Sequence, residues 1–427
     1  IKGFKNFTQI VGDDTDKFYS TQIEGLKKID DLTFEIHLNE PSPNILYFLS
    51  MQFTSPIPIE VIQKYNNKLD KVIEGTGPYK FLGMTGTVYH FEKFKKFREE
   101  SYPTSGDRYA NTENLLKSSK KLLPMIEKLN IKVYSDEKKK WNAFLDNELD
   151  ILPVPQKKIT AILDRDSEIY KTLIKNGVLI KHFSRQTTRW LGFNMTDPVI
   201  GKNLNLRKAI AHAIDYKSYV KVISKNTNLK ANSLFNPSIE GYKPAHELPY
   251  SFNLDLARKY LKKSNINLDT FELTYSTRGK QAIHLEEAKF LKEQLGKIGI
   301  KVKIHSISFS EFLKLGRSGK LQFWTDSWIY DYPDAENLLQ LLVSQNHPGI
   351  NKSGFSDAEI DNLYKELSRT FNPVERLNLM YKIEKIVEKK IPWILMMYES
   401  TYILQQSEVK NFRKSFFIRN FVKYLKK

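Results

Sequence analysis

Hydrophobic and polar residues alternate over residues 33–38, which predicts a strand with its apolar side chains on one face. Pro41 ends this strand, because proline has no backbone N–H to donate to a neighbouring strand. The pattern then predicts two further strands, at residues 129–134 and 150–154, with a helix between them at residues 137–145. The first part of the chain is therefore predicted to mix strands and helices.

From residue 254 onward the predicted order is helix, strand, helix, strand. Residues 282–298 place apolar side chains at helical spacing, Gly299 ends the helix, and residues 300–304 alternate as a strand. Such a succession favours an α/β architecture. Between residues 226 and 251 the pattern dissolves into Asn, Ser, Pro and Gly, and we interpret this stretch as the passage between two domains.

The composition indicates a folded protein of more than one domain. The chain has 427 residues, of which 41 % are hydrophobic and 12 % aromatic. These fractions exclude wholesale disorder, and the length suggests two to three domains of ~150 residues each. The chain contains no cysteine, which excludes disulfide scaffolds, cysteine-ligated metal sites and cysteine nucleophiles within it.

The formal net charge is +18, from 67 Lys and Arg against 49 Asp and Glu. An excess of this size first suggests a protein that binds nucleic acid or an acidic surface. The basic and aromatic residues 93–98 are the nearest candidate for such an interface. Most other lysines are dispersed, as they are on a solvated surface.

The sequence contains no motif for catalysis or for local metal binding. There is no G-x-S-x-G elbow, no phosphate-binding lysine loop and no G-x-G-x-x-G, and the eight histidines do not fall at the spacings of a local metal site. No nucleophile has an evident base. We therefore expect no enzymatic activity, no cofactor and no bound metal, although a peptidase stays open because catalytic groups can come together in space.

An aromatic and acidic cluster occupies residues 323–334. In a strand that leads to a turn, Trp324 and Trp328 project to one face, and Asp331 lies at the turn beside Pro333. A carboxylate among aromatic rings is poorly screened and can anchor the ammonium group of a ligand. The same pattern also fits an aspartate that caps a turn beside aromatic residues of the core.

Motifs along essentially the whole chain resemble those of one protein family, in the same order. The family is the large solute-binding proteins of bacterial ABC importers for peptides, the oligopeptide/dipeptide/nickel-binding family. Each motif is weak by itself, and the order of the motifs makes the signal specific. The matching segments are residues 29–36, 40–43, 56–58, 75–80, 192–194, 206–215, 252–257, 299–302, 328–333, 375–376 and 391–394.

The resemblance implies an α/β fold, a two-lobed periplasmic-binding-protein clamp (type II, cluster C-like) with a remnant of an extra small domain. Residues 1–78 are then the C-terminal part of that small domain, whose N-terminal part is expected to be absent. Residues 79–228 together with 406–427 form lobe I, and residues 229–405 form lobe II. The segment 406–427 has five Lys and two Arg against one Glu, and we expect its charge to face the membrane or a docking partner.

The resemblance also implies a receptor that closes its lobes around a peptide and delivers the peptide to a membrane ABC permease. It implies a monomer without catalysis, cofactor or nucleic-acid partner. The expected location is the periplasmic or extracytoplasmic face of the cell membrane, with a lipid anchor in the absent N-terminal segment. Two alternatives stay open: a binder of a non-peptide cationic solute or nickel complex in the same fold, and a basic protein that binds nucleic acid or an acidic surface.

Four site residues follow from the match to the family. By the family's W-x-x-D motif, Asp331 is expected to hold the α-ammonium group of the peptide, and Trp328 to wall the pocket. Asn194 is expected to bond the peptide backbone, with a structural role as the alternative. Arg278 lies where some dipeptide-selective members carry a carboxylate-binding arginine, and a solvated loop arginine is the alternative.

Three aromatic residues complete the predicted ligand-binding set: Trp190, Tyr330 and Tyr398. For Tyr398, core packing is the alternative. Thr325 and Asp326 stand where some oligopeptide binders carry a basic residue, so the contact with the C-terminus of the peptide is left unassigned. The acidic residues of this region keep the cationic-solute alternative open.

Overall fold

The computed structural model describes residues 1–12, 14–65, 74–415, 417–418 and 420–427 of the chain. The helices of this described part are α1 (Phe4–Val11), α2 (Thr15–Ser20), α3 (Ile45–Leu49), α4 (Ile59–Lys64), α5 (Arg108–Thr112), α6 (Glu137–Leu145), α7 (Ile159–Leu163), α8 (Glu168–Lys175), α9 (Leu204–Ala213), α10 (Tyr216–Ser224), α11 (Leu254–Lys263), α12 (Ala282–Gly296), α13 (Phe309–Arg317), α14 (Glu336–Leu339), α15 (Ala358–Leu367) and α16 (Pro373–Lys390). The strands are β1 (Leu26–Lys28), β2 (Phe34–Ile36), β3 (Tyr79–Thr85), β4 (Val88–Lys93), β5 (Lys128–Lys132), β6 (Ile151–Pro153), β7 (Leu179–Phe193), β8 (Leu229–Lys230), β9 (Glu272–Ser276), β10 (Lys301–His305), β11 (Phe323–Ile329) and β12 (Trp393–Gln405). None of these helices has both the length and the apolar content that a membrane crossing needs.

Two long antiparallel strands, β7 and β12, form the middle of the largest sheet. The strand order is β10-β9-β11-β7-β12-β6, with β8 beside β12. β9 runs parallel to β10 and β11, whereas β11 runs antiparallel to the C-terminal part of β7. At the other end, β6 pairs with the last residues of β12. The two long strands therefore connect two differently built parts of the molecule.

Several elements that the sequence pattern predicts are confirmed. The helix predicted at residues 137–145 is α6, which begins after Asp136, whose side chain accepts hydrogen bonds from two backbone N–H groups of the first turn. The helix predicted at 282–298 is α12, and the strand predicted at 300–304 is β10. α12 connects two parallel strands of the sheet, as a β–α–β unit requires.

The strand predicted at residues 33–38 is confirmed as β2, but its apolar side chains are not buried. The side chain of Phe34 is 69 % exposed. β2 pairs with β1 in a two-stranded sheet, and so small a sheet offers its apolar side chains little surface to pack against. Alternation therefore predicted the element here without predicting its burial.

The stretch at residues 226–251 has little regular structure, yet part of it lies in a core. Leu234 and Phe235 are fully buried in a cluster formed with α14, α15 and α16. The Nδ2 atom of Asn236 donates to the carbonyl oxygen of Thr187 in β7, at 3.1 Å. α9 and α10 also share a core with α11 and α12. The predicted domain boundaries stay predictions, and this packing favours a crossing between the lobes within β7 rather than in this stretch.

The basic C-terminal segment is in part neutralised by acidic residues of earlier segments. The ion pairs are Arg413 with Asp107, Lys423 with Glu100, and Lys427 with Asp150. Acidic residues from earlier in the chain therefore balance part of the positive charge of residues 406–427.

Candidate ligand-binding site

The turn that follows β11 presents Asp331 at the surface. Asn337, which is 2 % exposed, organises this turn. Its Oδ1 atom accepts hydrogen bonds from the backbone N–H of Asp331 at 3.0 Å and from Nε1 of Trp328 at 2.7 Å, and its Nδ2 atom lies 3.4 Å from Oδ2 of Asp331. The buried Tyr330 donates its N–H to the carbonyl oxygen of Gln186 at 2.9 Å, which extends the strand pairing to the turn. One buried amide thus holds an exposed carboxylate beside an indole ring.

A narrow pocket adjoins this turn, and its cavity volume of about 10 Å³ has room for about one water molecule. Its aromatic walls are Trp190, Trp324, Trp328 and Trp393. Trp190 of β7 stacks on Trp393 of β12, with ring centroids 4.4 Å apart and an angle of 21° between the planes. Rigid aromatic walls of this kind pack well against the apolar parts of a ligand.

Three charged side chains meet beside this pocket, and two of them are positive while one is negative. Asp326, which is 4 % exposed, lies 2.6 Å from Nζ of Lys352 and 3.4 Å from Nε of Arg278. Nη1 of Arg278 also donates to Oγ of Ser327 at 3.0 Å. Two cations therefore share one carboxylate, and this arrangement can accept a carboxylate group from a ligand.

The three aspartates of the acidic cluster differ in their partners. Asp326 is paired with two cations, and Asp334 pairs with Nη2 of Arg376 at 2.6 Å. Asp331 forms no ion pair among the described residues. Of the three carboxylates, that of Asp331 is therefore the one available to a ligand cation.

Two residues of the predicted set are engaged in bonds within the fold. Nδ2 of Asn194 donates to the carbonyl oxygen of Gly319 at 3.0 Å, and its Oδ1 accepts the N–H of Thr196 at 3.0 Å. The hydroxyl of Tyr398 donates to the carbonyl oxygen of Ser233 at 2.6 Å and accepts the N–H of that residue at 2.9 Å. Both side chains are buried, which favours the structural alternative for each.

Residues 44–48 border the turn, and spacing along the sequence gave no signal of this contact. The ring of Tyr47 stacks on that of Tyr332, with centroids 5.8 Å apart and an angle of 15°. The amide of Asn44 donates to the carboxylate of Glu336. Burial raises the pKa of Glu336, although the hydrogen bond from Asn44 opposes this shift. A segment from the start of the chain thus lies against the turn that carries Asp331.

An ion-pair network ties the middle of β7 and β12 to two helices. Nη2 of Arg189 lies 2.8 Å from Oε2 of Glu287 in α12, and its Nε donates to the hydroxyl of Tyr219 in α10 at 3.2 Å. Burial is the largest effect and opposes the charge of Arg189, but Glu287, Tyr219 and Glu399 together outweigh it, so the pKa of Arg189 is raised. Glu399, at an irregularity in the pairing of β12 with β7, lies 3.6 Å from Arg185. The network fixes the two long strands where they connect the parts of the molecule.

Solved structures with this architecture are bacterial binding proteins. HbpA2 from Haemophilus parasuis superposes with a TM-score of 0.79 and 20 % sequence identity, over 99 % of this chain and 81 % of that chain. The periplasmic binding protein DppA from Helicobacter pylori, solved with the peptide STSA, gives a TM-score of 0.69 and 22 % identity, over 94 % of this chain and 73 % of that chain. The predicted fold, the α/β fold of two-lobed periplasmic binding proteins, is confirmed.

The sequence comparisons identify the family. The family described as "Bacterial extracellular solute-binding proteins, family 5 Middle" matches residues 4–349. Di/tripeptide-binding protein 2 of Pseudomonas aeruginosa (strain UCBPP-PA14) is 24 % identical over 403 residues, which are 92 % of this chain and 70 % of that protein. Dipeptide-binding protein DppE of Bacillus subtilis (strain 168) is 25 % identical over 395 residues, or 89 % and 66 % of the two chains. This chain belongs to the bacterial extracellular solute-binding proteins of family 5, a family of binding proteins.

Proposed function

We propose that this chain binds peptides between its two lobes, outside the cytoplasm, and delivers them to a membrane ABC permease. The observation that carries the proposal is the exposed carboxylate of Asp331, held by Asn337 beside the ring of Trp328. A carboxylate in this setting complements the α-ammonium group that every peptide with a free amino terminus carries. The relatives that are named as dipeptide-binding and di/tripeptide-binding proteins support the same class of ligand.

The opposite end of the peptide finds a complementary charge at Arg278 and Lys352. These two cations share the single carboxylate of Asp326, so the group retains a positive charge for the C-terminal carboxylate. Recognition of the two termini leaves the peptide side chains to contact the aromatic walls. We therefore propose that the protein accepts peptides of varied sequence.

The partners of the acidic residues favour a peptide over a purely cationic solute. Asp326 and Asp334 are already neutralised by cations of the protein, which leaves Asp331 as the anionic contact. A polyamine-like ligand would need several free carboxylates in one place. The monomeric state and the lipid anchor stay predictions.

The test is the affinity of a tripeptide, such as Ala-Ala-Ala, with a free or an acetylated amino terminus, measured by isothermal titration calorimetry. We expect Asp331→Ala to weaken binding of the free form by about tenfold or more, because it removes the partner of the ammonium group. The acetylated form has no ammonium, so we expect the same substitution to change its affinity little. Asp255→Ala, at an exposed position of α11, is the matched control.

Equal losses for the free and acetylated peptides would remove the assigned role of Asp331. The wider proposal fails if native mass spectrometry finds no co-purified peptide and a tripeptide library produces no thermal shift. It also fails if the protein cleaves the peptides it is given, since the proposed receptor releases them unchanged.

A further inference from the structure

A second group of ligand-type side chains lies on α16, apart from the turn that carries Asp331. Glu384 and Glu388 are four residues apart on this helix, so they project from the same face. His246, from the loop before α11, brings its Nε2 atom to 2.5 Å from Oε1 of Glu388. The one nitrogen and the two carboxylate oxygens all lie within 4.8 Å of one another. We call these three residues the His–Glu–Glu cluster.

The spacing along the sequence could not reveal this cluster. His246 and Glu388 are separated by 142 positions, whereas a local metal motif places its ligands close together in sequence. The absence of a local motif therefore did not exclude a site that the fold assembles.

The surroundings of the cluster favour a cation. Glu384 is 2 % exposed, and the side chains of His246 and Glu388 are mostly buried. Glu384 and Glu388 place two carboxylates close together and largely out of contact with water, where they repel one another. A positive charge between them would stabilise both. The ammonium of Lys243 lies over the ring of Tyr381, 3.1 Å from its centroid.

The cluster is held in place by a shell of hydrogen bonds. Oε1 of Glu384 accepts the hydroxyl of Ser233 at 2.6 Å and the N–H of Leu234 at 2.9 Å. The hydroxyl of Tyr398 in turn bonds the backbone of Ser233. Nδ2 of Asn232 contacts the carbonyl oxygen of His246 at 3.1 Å and two further carbonyls of the same loop. Such outer partners orient metal ligands and cut the cost of bringing them together.

Solvent can reach the cluster from the side of the histidine. His246 lines an open cavity of about 380 Å³, together with Lys230, Asn232 and Glu247. A bound cation could therefore exchange with solvent and complete its coordination with water.

We propose that His246, Glu384 and Glu388 bind one divalent transition-metal cation through one imidazole nitrogen and two carboxylate oxygens. Imidazole with carboxylates suits Zn²⁺, Ni²⁺ and Mn²⁺, whereas Ca²⁺ and Mg²⁺ prefer ligand sets made of oxygen atoms. Zn²⁺ lies about 2.0–2.2 Å from such ligand atoms, so two of them are at most about 4.4 Å apart. Small rotations of the side chains would bring the cluster within this limit.

The test is titration of chelator-treated protein with Zn²⁺ by isothermal titration calorimetry. We expect one ion per chain, with binding at least about tenfold weaker in His246→Gln and in Glu388→Gln, because even the loss of an outer-shell partner costs this much. His37→Gln is the matched control. His37 also faces a glutamate, with Nε2 2.8 Å from Oε2 of Glu35, but it forms a more exposed pair with a single carboxylate. We expect this control to bind Zn²⁺ as the unmodified protein does.

The proposal is overturned if the unmodified protein binds no stoichiometric Zn²⁺, or if both cluster variants bind it unchanged. Should the variants fail to fold by circular dichroism, anomalous scattering from Zn²⁺-soaked crystals of the unmodified protein decides. A peak within about 2.2 Å of Nε2 of His246 supports the site, and a peak elsewhere or no peak contradicts it. Neither result depends on peptide binding, so this proposal and the proposed function can fail separately.

Discussion

Asp326 in the middle of β11 and Asp331 in the turn after this strand lie close in sequence but in opposite surroundings. Asp326 is buried and shared by two cations, Lys352 and Arg278. Asp331 is exposed, and its side-chain contact is a long hydrogen bond from the amide of Asn337. A buried, paired carboxylate stabilises the fold, whereas an exposed and loosely held one can exchange water for a ligand. Burial and partners, rather than the acidic residue itself, therefore separate the structural aspartate from the one proposed to bind the ligand.

The largest expected effect is on stability. It is measured by comparing two single substitutions, each of which replaces one of the two aspartates by asparagine, its neutral isostere. Asp326→Asn leaves two cations without their shared carboxylate, and we expect it to lower the free energy of unfolding by about 2–3 kcal/mol, below the value for a fully buried pair because both cations are partly exposed. We expect Asp331→Asn to change it by less than about 0.5 kcal/mol, as is usual for exposed positions. Urea denaturation measures both values. Similar losses in the free energy of unfolding in the two variants would contradict the contrast between the two aspartates.

The second prediction concerns the amide that holds the exposed carboxylate. Asn337→Ala removes the acceptor for the Trp328 indole and the donor to Asp331, so we expect a free-amino tripeptide to bind about tenfold more weakly. Asn337→Asp keeps an acceptor for the indole but places a like charge near Asp331. We expect it to alter recognition of the ammonium without the change in tryptophan fluorescence that Asn337→Ala causes.

A role of Asn337 in folding alone has a different signature. In that case the free and N-acetylated peptides would lose affinity by the same factor in both variants. Calorimetry with the two peptides therefore separates positioning of Asp331 from general destabilisation of the turn.

Much of the fold could be predicted from the sequence, because the spacing of apolar residues within a helix or strand involves only residues close together in the chain. It located α6, and the apolar run that ends at Gly299 located α12. The stretch 226–251 suggests a linker because it is rich in Asn and Ser, and the domain boundary placed there stays a prediction. In the structure, Asn236 instead satisfies carbonyl groups of β7 from inside a core. Polar composition cannot distinguish a solvated loop from a buried one whose side chains replace water.

Only the part of the candidate site that lies within one short segment of the sequence could be predicted. The W-x-x-D match singled out Trp328 in β11 and Asp331 in the turn that follows, and their roles toward a ligand stay predictions. The partners of Asp326 could not be predicted, because Arg278 and Lys352 come from separate loops that the sheet brings together. Such long-range pairs depend on topology, which the spacing of residues does not encode.

The third prediction tests whether the cations at Asp326 also serve the ligand. We expect Arg278→Gln to weaken binding of a tripeptide with a free C-terminal carboxylate by about threefold to tenfold, since a partly solvated charge contact contributes about 1 kcal/mol. A C-terminally amidated tripeptide should lose less, because it lacks the carboxylate. Arg258→Gln, on the exposed face of α11, is the control. Equal effects on the two peptides would confine Arg278 to its contact with Asp326.

The smallest effect concerns a third carboxylate, Glu336, which is largely buried but bonded to the amide of Asn44 rather than to a cation. Burial raises its pKa above the usual 4.5, so the folded chain holds this proton more tightly than the unfolded chain does. The contribution of Glu336 to stability is therefore complete below about pH 4.5 and falls as the pH rises through the folded-state pKa. Glu336→Gln stays neutral at every pH.

We therefore expect the stability of Glu336→Gln relative to the parent to increase from acid toward neutral pH, because only the parent must ionise a buried group. Urea denaturation at several pH values measures this difference, with Glu359→Gln at an exposed position of α15 as the control. If the difference does not change with pH, Glu336 titrates alike in the folded and unfolded chains. Its surroundings would then resemble those of Asp331 more than those of Asp326, and the contact of residues 44–48 with the turn would be open to water.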